Sequence, residues 1–297
     1  MRDDFISVII PSGRPDRVAD TLRSLANQTV PQEKYEIVVV TPESGVLPQV
    51  YARNILVIST DCLYPPGRMR NIGAKNAHGK YLLFIDDDCK APEGLLQHMT
   101  HVLNTKKEVG AVGCRVVASA GTFWNRCADQ ALFTAYQLKK TGSVSALGSA
   151  ALAVRWDVFT EVGGFDEELK ASEDWDFSLK IQKQGWQCWF SQELEVLHDH
   201  RRGSLLDILR SAWQYGRDSG LKVQQRHQEA VTWVARMMVA AANKKIYWVP
   251  MLPYSLFLTL VWLLETRPVR MLPCLPVLFL ARLSYQCGVY KSLQEES

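Results

Sequence analysis

Three adjacent carboxylates, Asp86, Asp87 and Asp88, stand at the end of the apolar run Tyr81-Leu82-Leu83-Phe84-Ile85. Neighbouring carboxylates repel, and each raises the pKa of the next. A divalent cation relieves that cost, and hard oxygen ligands suit Mg²⁺ or Mn²⁺. The bland alternative is a solvated acidic turn ahead of the helix that Pro92 announces. A second acidic group, Ser172-Glu173-Asp174-Trp175-Asp176, opens an amphipathic stretch. Ser172 reads as its N-cap, and acids in a first helical turn stabilise the macrodipole by about 0.3–1 kcal/mol each. His198-Asp199-His200-Arg201-Arg202 mixes metal-ligand, acidic and anion-binding types, or is a solvated loop.

These residues need positioning elements. The run before Asp86 reads as a strand buried on both faces. If the strand continues past Ile85, Asp86 and Asp88 face one way and Asp87 the other. Strands are also expected at Phe5–Ile10, Tyr35–Val40, Ile55–Ser59, Val109–Val117 and Ser143–Val154, with short ones at Gln187–Phe190 and Glu195–His198. Helical spacing marks Asp16–Gln28, Arg68–His78 (closed by Gly79 at C′), Pro92–Thr105, part of Thr122–Thr141, Trp156–Val162 and a segment from Glu173 to Gly185. Alternating strands and helices imply an α/β fold with a mostly parallel sheet. Ligands then bind beyond the carboxyl ends of the strands. Pro11-Ser12, Thr41-Pro42-Glu43 and the Asp triplet all fall at such ends. Gly148 and Ser149 would let backbone approach a ligand closely.

Composition excludes several classes. With 297 residues, 47% hydrophobic and 22% charged, the chain is globular, and its net charge of +3 does not imply a nucleic-acid partner. Seven scattered cysteines without a C-x-x-C pair argue against a disulfide framework or a zinc site and favour a reducing compartment. The first residues lack an apolar signal core, so secretion is not expected. No G-x-G-x-x-G follows the first strand, which argues against a dinucleotide-dependent dehydrogenase.

The order of motifs resembles the family 2 glycosyltransferases of GT-A fold over roughly residues 5–220. The resemblance rests on Ser7-Val8-Ile9-Ile10-Pro11-Ser12, Arg70-Asn71-Ile72-Gly73, Ala77-His78-Gly79-Lys80-Tyr81, Phe84-Ile85-Asp86-Asp87-Asp88, Gly163-Gly164-Phe165-Asp166-Glu167, Glu173-Asp174-Trp175-Asp176 and His198. It implies a nucleotide-sugar donor, a divalent metal (Mn²⁺ or Mg²⁺) and inversion at the anomeric carbon. Asp86-Asp87-Asp88 matches the family's D-x-D. By that match Asp86 lies near the donor ribose and Asp88 binds the metal; Asp87, on the opposite side of the strand, is the member expected to tolerate Ala. Asp174, beside Glu173, matches the general base. His198 matches a position that completes the metal or diphosphate site, with His200 as a competitor. Pro11, Ser12 and Arg14 match the first nucleotide-binding turn. Arg68 or Arg70 is placed to reach the diphosphate or is surface charge. Many relatives carry a base-reading Asp where this chain has Thr41, so Glu43 substitutes or the base is held differently.

The chain is expected to divide into a catalytic domain over 1–203, a helical lid and acceptor region over 204–245, and apolar C-terminal helices over 246–297. Trp175, Trp213 and Tyr215 are acceptor or lid candidates, although Trp213 and Tyr215 serve core packing equally well. Ile246–Leu264 holds no charge over about the length of a membrane span. Met271–Ala281 is a shorter apolar run, and Glu265, Arg267 and Arg270 lie between them. Two full spans would translocate those arginines, against the positive-inside tendency. The expectation is therefore helices lying in the membrane interface at the cytoplasmic face of the inner or plasma membrane, with a single span or packing on the domain or a homodimer partner as alternatives. The acceptor is expected to be lipid-linked, polysaccharide or peptide-derived. Competing readings are a non-catalytic nucleotide-sugar-binding scaffold and a sugar-phosphate nucleotidyltransferase, although the turn from Pro11 to Asp16 lacks the basic, glycine-rich loop the latter needs.

Overall fold

The structure is a computed structural model and describes residues 2–13, 17–42, 54–133, 140–227, 247–266 and 269–295. Arg14, Glu43, the stretch 228–245 of the expected lid region and Ile246 lie outside the described residues. The chain divides into two compact units. The first comprises Met1–Ser119, Ala135–Glu168 and Glu173–His200, and the second Ala120–Thr134, Leu169–Ser172 and Arg201–Ser297.

The first unit is built on a nine-stranded sheet. Its strands are β1 (Arg2–Pro11), β2 (Tyr35–Pro42), β3 (Ile55–Thr60), β4 (Gly79–Ile85), β5 (Cys89–Lys90), β6 (Val109–Ala118), β7 (Gly142–Val144), β8 (Ala151–Arg155) and β9 (Gln187–His198). The order is β3-β2-β1-β4-β8-β6-β9-β5, with β7 on β9. The β3-β2-β1-β4 portion is parallel, as are β6 and β9. Strand β8 runs antiparallel to both its neighbours, so the sheet is mixed. The expected strand over Ser143–Val154 is two short strands separated by a turn. The two short strands expected near 187 and 195 are one, β9, with a register irregularity opposite Cys114 and Arg115.

Helices α1 (Val18–Ala26), α2 (Pro66–Lys75), α3 (Leu95–Thr105), α5 (Trp156–Glu161) and α6 (Glu173–Lys183) belong to this unit. Helix α2 is shorter than the spacing predicts. Gly79 does not cap it but begins β4, where a Cβ would lie 2.5 Å from the Ser7 nitrogen. The requirement is a close strand approach and not a left-handed turn. Gly185 does end α6 at φ +88, with Trp186 N–H donating to the Ile181 carbonyl (3.2 Å). Ser172 has φ +61, outside the extended conformation of the expected N-cap. The core joins Ile9, Val38, Leu82 and Leu152 to an aromatic group beneath the Asp triplet. Phe84 meets Phe165 edge-on (5.0 Å), and Phe165 stacks on Phe177 (4.3 Å).

The second unit is helical: α4 (Phe123–Leu132), α7 (Leu205–Tyr215), α8 (Leu221–Arg226), α9 (Trp248–Thr266) and α10 (Leu275–Glu295), with a π-helical turn at Gly216–Gly220 between α7 and α8. Thr122 caps α4 by accepting from Asn125 N–H, and Ser204 caps α7 by accepting from Asp207 N–H. Helices α7 and α10 cross at backbone contact. A Cβ on Gly216 would lie 2.0 Å from the Tyr285 carbonyl oxygen, and one on Gly288 2.1 Å from that of Trp213. Among the described residues, Leu272–Glu295 is long and apolar enough to cross a membrane by length and composition.

Candidate active site

Because β1, β2 and β4 run parallel, their carboxyl ends bring Ser12, Thr41 and Asp86 together. Ser12 N–H donates to the Val40 carbonyl (2.8 Å), extending the ladder past β1. The Asp triplet is not strand. β4 ends at Ile85, and Cys89 N–H donates back to the Asp86 carbonyl (3.2 Å), making a turn. Alternation stops there, and the three carboxylates take three directions.

Asp87 points into the protein. It is buried, accepts from Ser12 Oγ (3.2 Å) and has its carbonyl bonded by Thr21 Oγ1 (3.0 Å). Its burial runs against the expectation that it is the expendable member. Asp88 faces His198, with Oδ1 3.1 Å from Nε2. The two-residue strand β5 aligns Cys89 with His198, and Asp199 N–H donates to the Asp88 carbonyl (2.9 Å). The His200 ring, also buried, stands edge-on to His198 at 5.5 Å. Cys89 Sγ joins Asp88 and His198 within a 4.8 Å cluster that sequence reasoning missed; its adjacency to Asp88 was the available signal. Burial, then the charges of Asp86 and Asp88, push its thiol well above the usual range.

Asp86 faces Arg70. The Arg70 guanidinium donates to Asp86 Oδ1 (2.7 Å) and to Glu173 Oε1 (2.6 Å) and is 3% exposed. Burial alone would lower its pKa, but Asp86, Glu173 and Asp174 outweigh it and hold it charged. It is a buried bridge and not surface charge. Arg68 instead lies over the Tyr64 ring (3.7 Å). Asn71, next to Arg70, clamps the Gly163-Gly164-Phe165 turn. Its Nδ2 donates to the Phe165 carbonyl (2.9 Å), and its Oδ1 accepts from Phe165 N–H (3.0 Å). Gly164 (φ +71) leaves room for this, since a Cβ there would lie 2.8 Å from Asn71 Oδ1.

Asp174 sits in the first turn of α6. Its Oδ2 accepts from Ser149 N–H (3.2 Å) and its Oδ1 from Trp175 N–H (2.8 Å). Loss of solvent, then the neighbouring Glu173 charge, raise its pKa to about 7, against the opposing pull of Arg70 and the two N–H groups. A carboxylate with that pKa is poised to take a proton near neutral pH. Gly148 and Ser149 are buried in the turn between β7 and β8, and Leu147 N–H donates to Ser178 Oγ (3.0 Å), tying that turn to α6.

Pro11, half-buried, ends β1. Thr41 is buried and accepts at its carbonyl from Thr60 Oγ1 (3.3 Å), while its own Oγ1 has no hydrogen-bond partner among the described residues. Trp175 is half-buried. Trp213 and Tyr215 belong to the second unit, where arginines engage them. Arg217 lies over the Trp213 ring (5.3 Å), and Arg202 donates to the Tyr215 hydroxyl (3.0 Å).

The donor set at Asp88 fits a divalent cation. A carboxylate oxygen and an imidazole nitrogen 3.1 Å apart are the ligand types Mn²⁺ accepts, and Mg²⁺ would use the carboxylate.

A mixed, mostly parallel sheet whose strand ends carry an acidic turn, beside a carboxylate at the start of the following helix, is the arrangement of a GT-A-like α/β fold. The family described as glycosyltransferase like family 2 matches residues 3–216, and the chain belongs to it. An uncharacterised glycosyltransferase of Haemophilus influenzae is 28% identical over 185 residues, covering 60% of this chain and 62% of that protein. The Staphylococcus aureus poly(ribitol-phosphate) beta-N-acetylglucosaminyltransferase TarS is 28% identical over 187 residues, 59% of this chain and 32% of its own length. The chain thus spans less than two thirds of either relative. Among solved structures, the mannosyltransferase PcManGT from Pyrobaculum calidifontis, in complex with GDP-Man and Mn²⁺, aligns with a TM-score of 0.61 at 16% identity, covering 98% of this chain and 88% of that one. TarS 1-349 with UDP-GlcNAc aligns with a TM-score of 0.52 at 16% identity, covering 98% and 91%. The structural likenesses bear out the expected fold, and the family match bears out the expected glycosyltransferase class.

Proposed function

We propose that the chain is an inverting glycosyltransferase that moves a sugar from a nucleotide-sugar donor onto an acceptor hydroxyl, with Asp174 as the general base. The observation that carries this is the Asp174 carboxylate, held by the Ser149 and Trp175 N–H groups and raised to about 7. The acceptor hydroxyl gives its proton to Asp174 as its oxygen attacks the anomeric carbon, and the nucleoside diphosphate leaves. Asp88 and His198 would hold Mn²⁺ or Mg²⁺, whose charge stabilises the leaving diphosphate. Asp86 lies towards the ribose, fixed by Arg70. Ser12 and Thr41 line the nucleotide side, and Asp87 holds Ser12 in place. Support comes from the relatives: PcManGT is named with GDP-Man and Mn²⁺, and TarS with UDP-GlcNAc. The TarS name also specifies a poly(ribitol-phosphate) acceptor, which fits a cell-envelope polymer or lipid-linked acceptor here, at the cytoplasmic face of a membrane.

The test is Asp174→Asn. Turnover with the preferred member of a UDP-, GDP- and dTDP-sugar panel is expected to collapse. Thermal stabilisation by that nucleotide with Mn²⁺ should survive, because binding to the native state stabilises it by linkage. Retained turnover would remove Asp174 from the base role. No Mn²⁺-dependent nucleotide shift in the unsubstituted chain would refute the donor site.

A further inference from the structure

Helix α9 is polarised against the usual rule for a protein in water. Trp248, Val249, Leu252, Leu256, Phe257 and Leu260 follow one another at i, i+1, i+4, i+8, i+9 and i+12, which makes a single stripe on a helix. All are exposed, from 44% at Phe257 to 61% at Trp248. The side turned inward carries Met251 and Tyr254, packed with Tyr285 and Tyr290 around Tyr247 and Val289, together with two small polar residues. Ser255 and Thr259 are buried, and their hydroxyls donate back to the Met251 and Ser255 carbonyls (2.8 Å each). Polar groups also line the contact with α10, where Gln286 is buried and accepts from the Tyr247 hydroxyl. Helices α7 and α10 meet through Gly216 and Gly288. The inward side is thus already packed, with small and hydrogen-bonding residues at its closest approaches, and the large apolar side chains left outside are the arrangement of a helix that faces lipid. A helix packed in water does the reverse.

From this exposed apolar stripe we infer that the outward face of α9 inserts into the surface of an anionic bilayer. Charge supports lipid over a protein partner. No Asp or Glu stands between Glu229 and Glu265, Lys244 and Lys245 precede the helix, and Arg267 and Arg270 follow it. Basic groups flanking an apolar helix face attract acidic headgroups while the apolar side chains enter the acyl boundary. Area points the same way. The six side chains expose roughly 600 Å², at the upper end for a patch on a monomer and below the ~800 Å² per partner of a standard protein interface. At 19 residues, α9 is about 28 Å long at ~1.5 Å per residue, and its inward side is held by α10, so it lies along the surface with one face immersed. This deepens the proposed transferase reading, which calls for a membrane-borne acceptor, but its readout is binding and not turnover.

The experiment is co-sedimentation of the full chain with vesicles of phosphatidylcholine alone and of phosphatidylcholine mixed with phosphatidylglycerol. The chain should bind the mixed vesicles more tightly than the neutral ones. The double variant Leu252→Glu with Leu256→Glu should bind them at least ~10-fold more weakly, given the cost of placing carboxylates in lipid. It should keep its melting temperature and its Mn²⁺-dependent nucleotide shift. If that variant fails to fold, Leu252→Gln with Leu256→Gln tests the same face without charge, and its weaker binding is the supporting result. Equal binding by the folded variant overturns the inference, as does absence of vesicle binding by the unsubstituted chain. A dimer in sedimentation velocity that the variant dissolves, with no vesicle binding, assigns the face to a second copy and also overturns it. Vesicle binding together with an active Asp174→Asn variant would leave this surface standing and sink the catalytic reading alone.

Discussion

Replacing Arg70 by Met tests the electrostatics of the site most directly. The guanidinium lies 2.7 Å from Asp86 and 2.6 Å from Glu173 and is almost wholly buried. Removing one partner of a buried ion pair costs about 3–5 kcal/mol, because a charge is left uncompensated. Asp86 is 29% exposed and can be partly solvated, whereas Glu173 is not, so the expected loss is near the lower end, about 3 kcal/mol. Met keeps the volume, so the loss is electrostatic and not a cavity effect. The second consequence concerns Asp174, whose raised pKa Arg70 opposes. A carboxylate whose native pKa is raised binds its proton more tightly when folded than unfolded. Stability from this group is therefore full at acid pH and declines as pH rises from the ordinary carboxylate range through about 7. Without Arg70 the decline extends to higher pH. The same shift moves the acid limb of kcat/KM upward by ~1 pH unit, because in the proposed mechanism Asp174 must be deprotonated to act. Urea unfolding across that pH range and a pH–rate profile read both effects. Arg70→Lys should recover little, since one ammonium cannot span both carboxylates as the planar fork does. A loss under about 1 kcal/mol with an unmoved acid limb would refute the bridge and return Arg70 to the status of surface charge.

Two further predictions concern residues whose burial the structure shows. Asp87→Ala should lower stability by about 1–3 kcal/mol, because Ser12 Oγ loses its buried acceptor; an unchanged urea midpoint would refute this. Gly288→Val should separate α7 from α10, since the first added carbon already lies 2.1 Å from the Trp213 carbonyl. The expected cost is about 1–3 kcal/mol or more, seen as early proteolysis of the second unit while Mn²⁺-dependent nucleotide binding in the first persists. Uniform resistance to protease would argue that the helices can shift to make room.

Sequence pattern was enough to read the strands and most helices, because β1, β2 and β4 carry mostly apolar stretches (Phe5–Ile10, Ile37–Val40 and Tyr81–Ile85) that are buried throughout, as a sheet covered on both faces requires. The residue types at the site were legible for the same reason: parallel strands put their carboxyl ends, and whatever polar residues follow, on one side. Directions were not legible. Whether Asp87 faces its neighbours or the core depends on β4 stopping at Ile85, and the contact that stabilises the inward choice, Ser12 Oγ, is 75 residues away. The role of Arg70 was hidden likewise. A basic residue in a helix reads as solvated until its partners, 16 and 103 residues away, are known. Gly79 was misread because glycine serves both a left-handed cap and a close backbone approach, and only the position of Ser7 separates the two.

One arrangement explains why such distant motifs must occur together. Asp86 at the end of β4 and Glu173 at the start of α6 share a single buried cation. That cation is carried by α2, whose next residue, Asn71, holds the turn leading towards α6 through Phe165. Asp86 and the region around Asp174 are thus fixed by one helix. A change in α2 should alter Asp174 even though neither Arg70 nor Asn71 forms a hydrogen bond with it among those described. Motifs that look independent along the chain are, in this sheet, parts of one charge network. Burial raises the Asp174 pKa first and the Glu173 charge raises it further, while Arg70 pulls it back, and the sum leaves it near neutral pH.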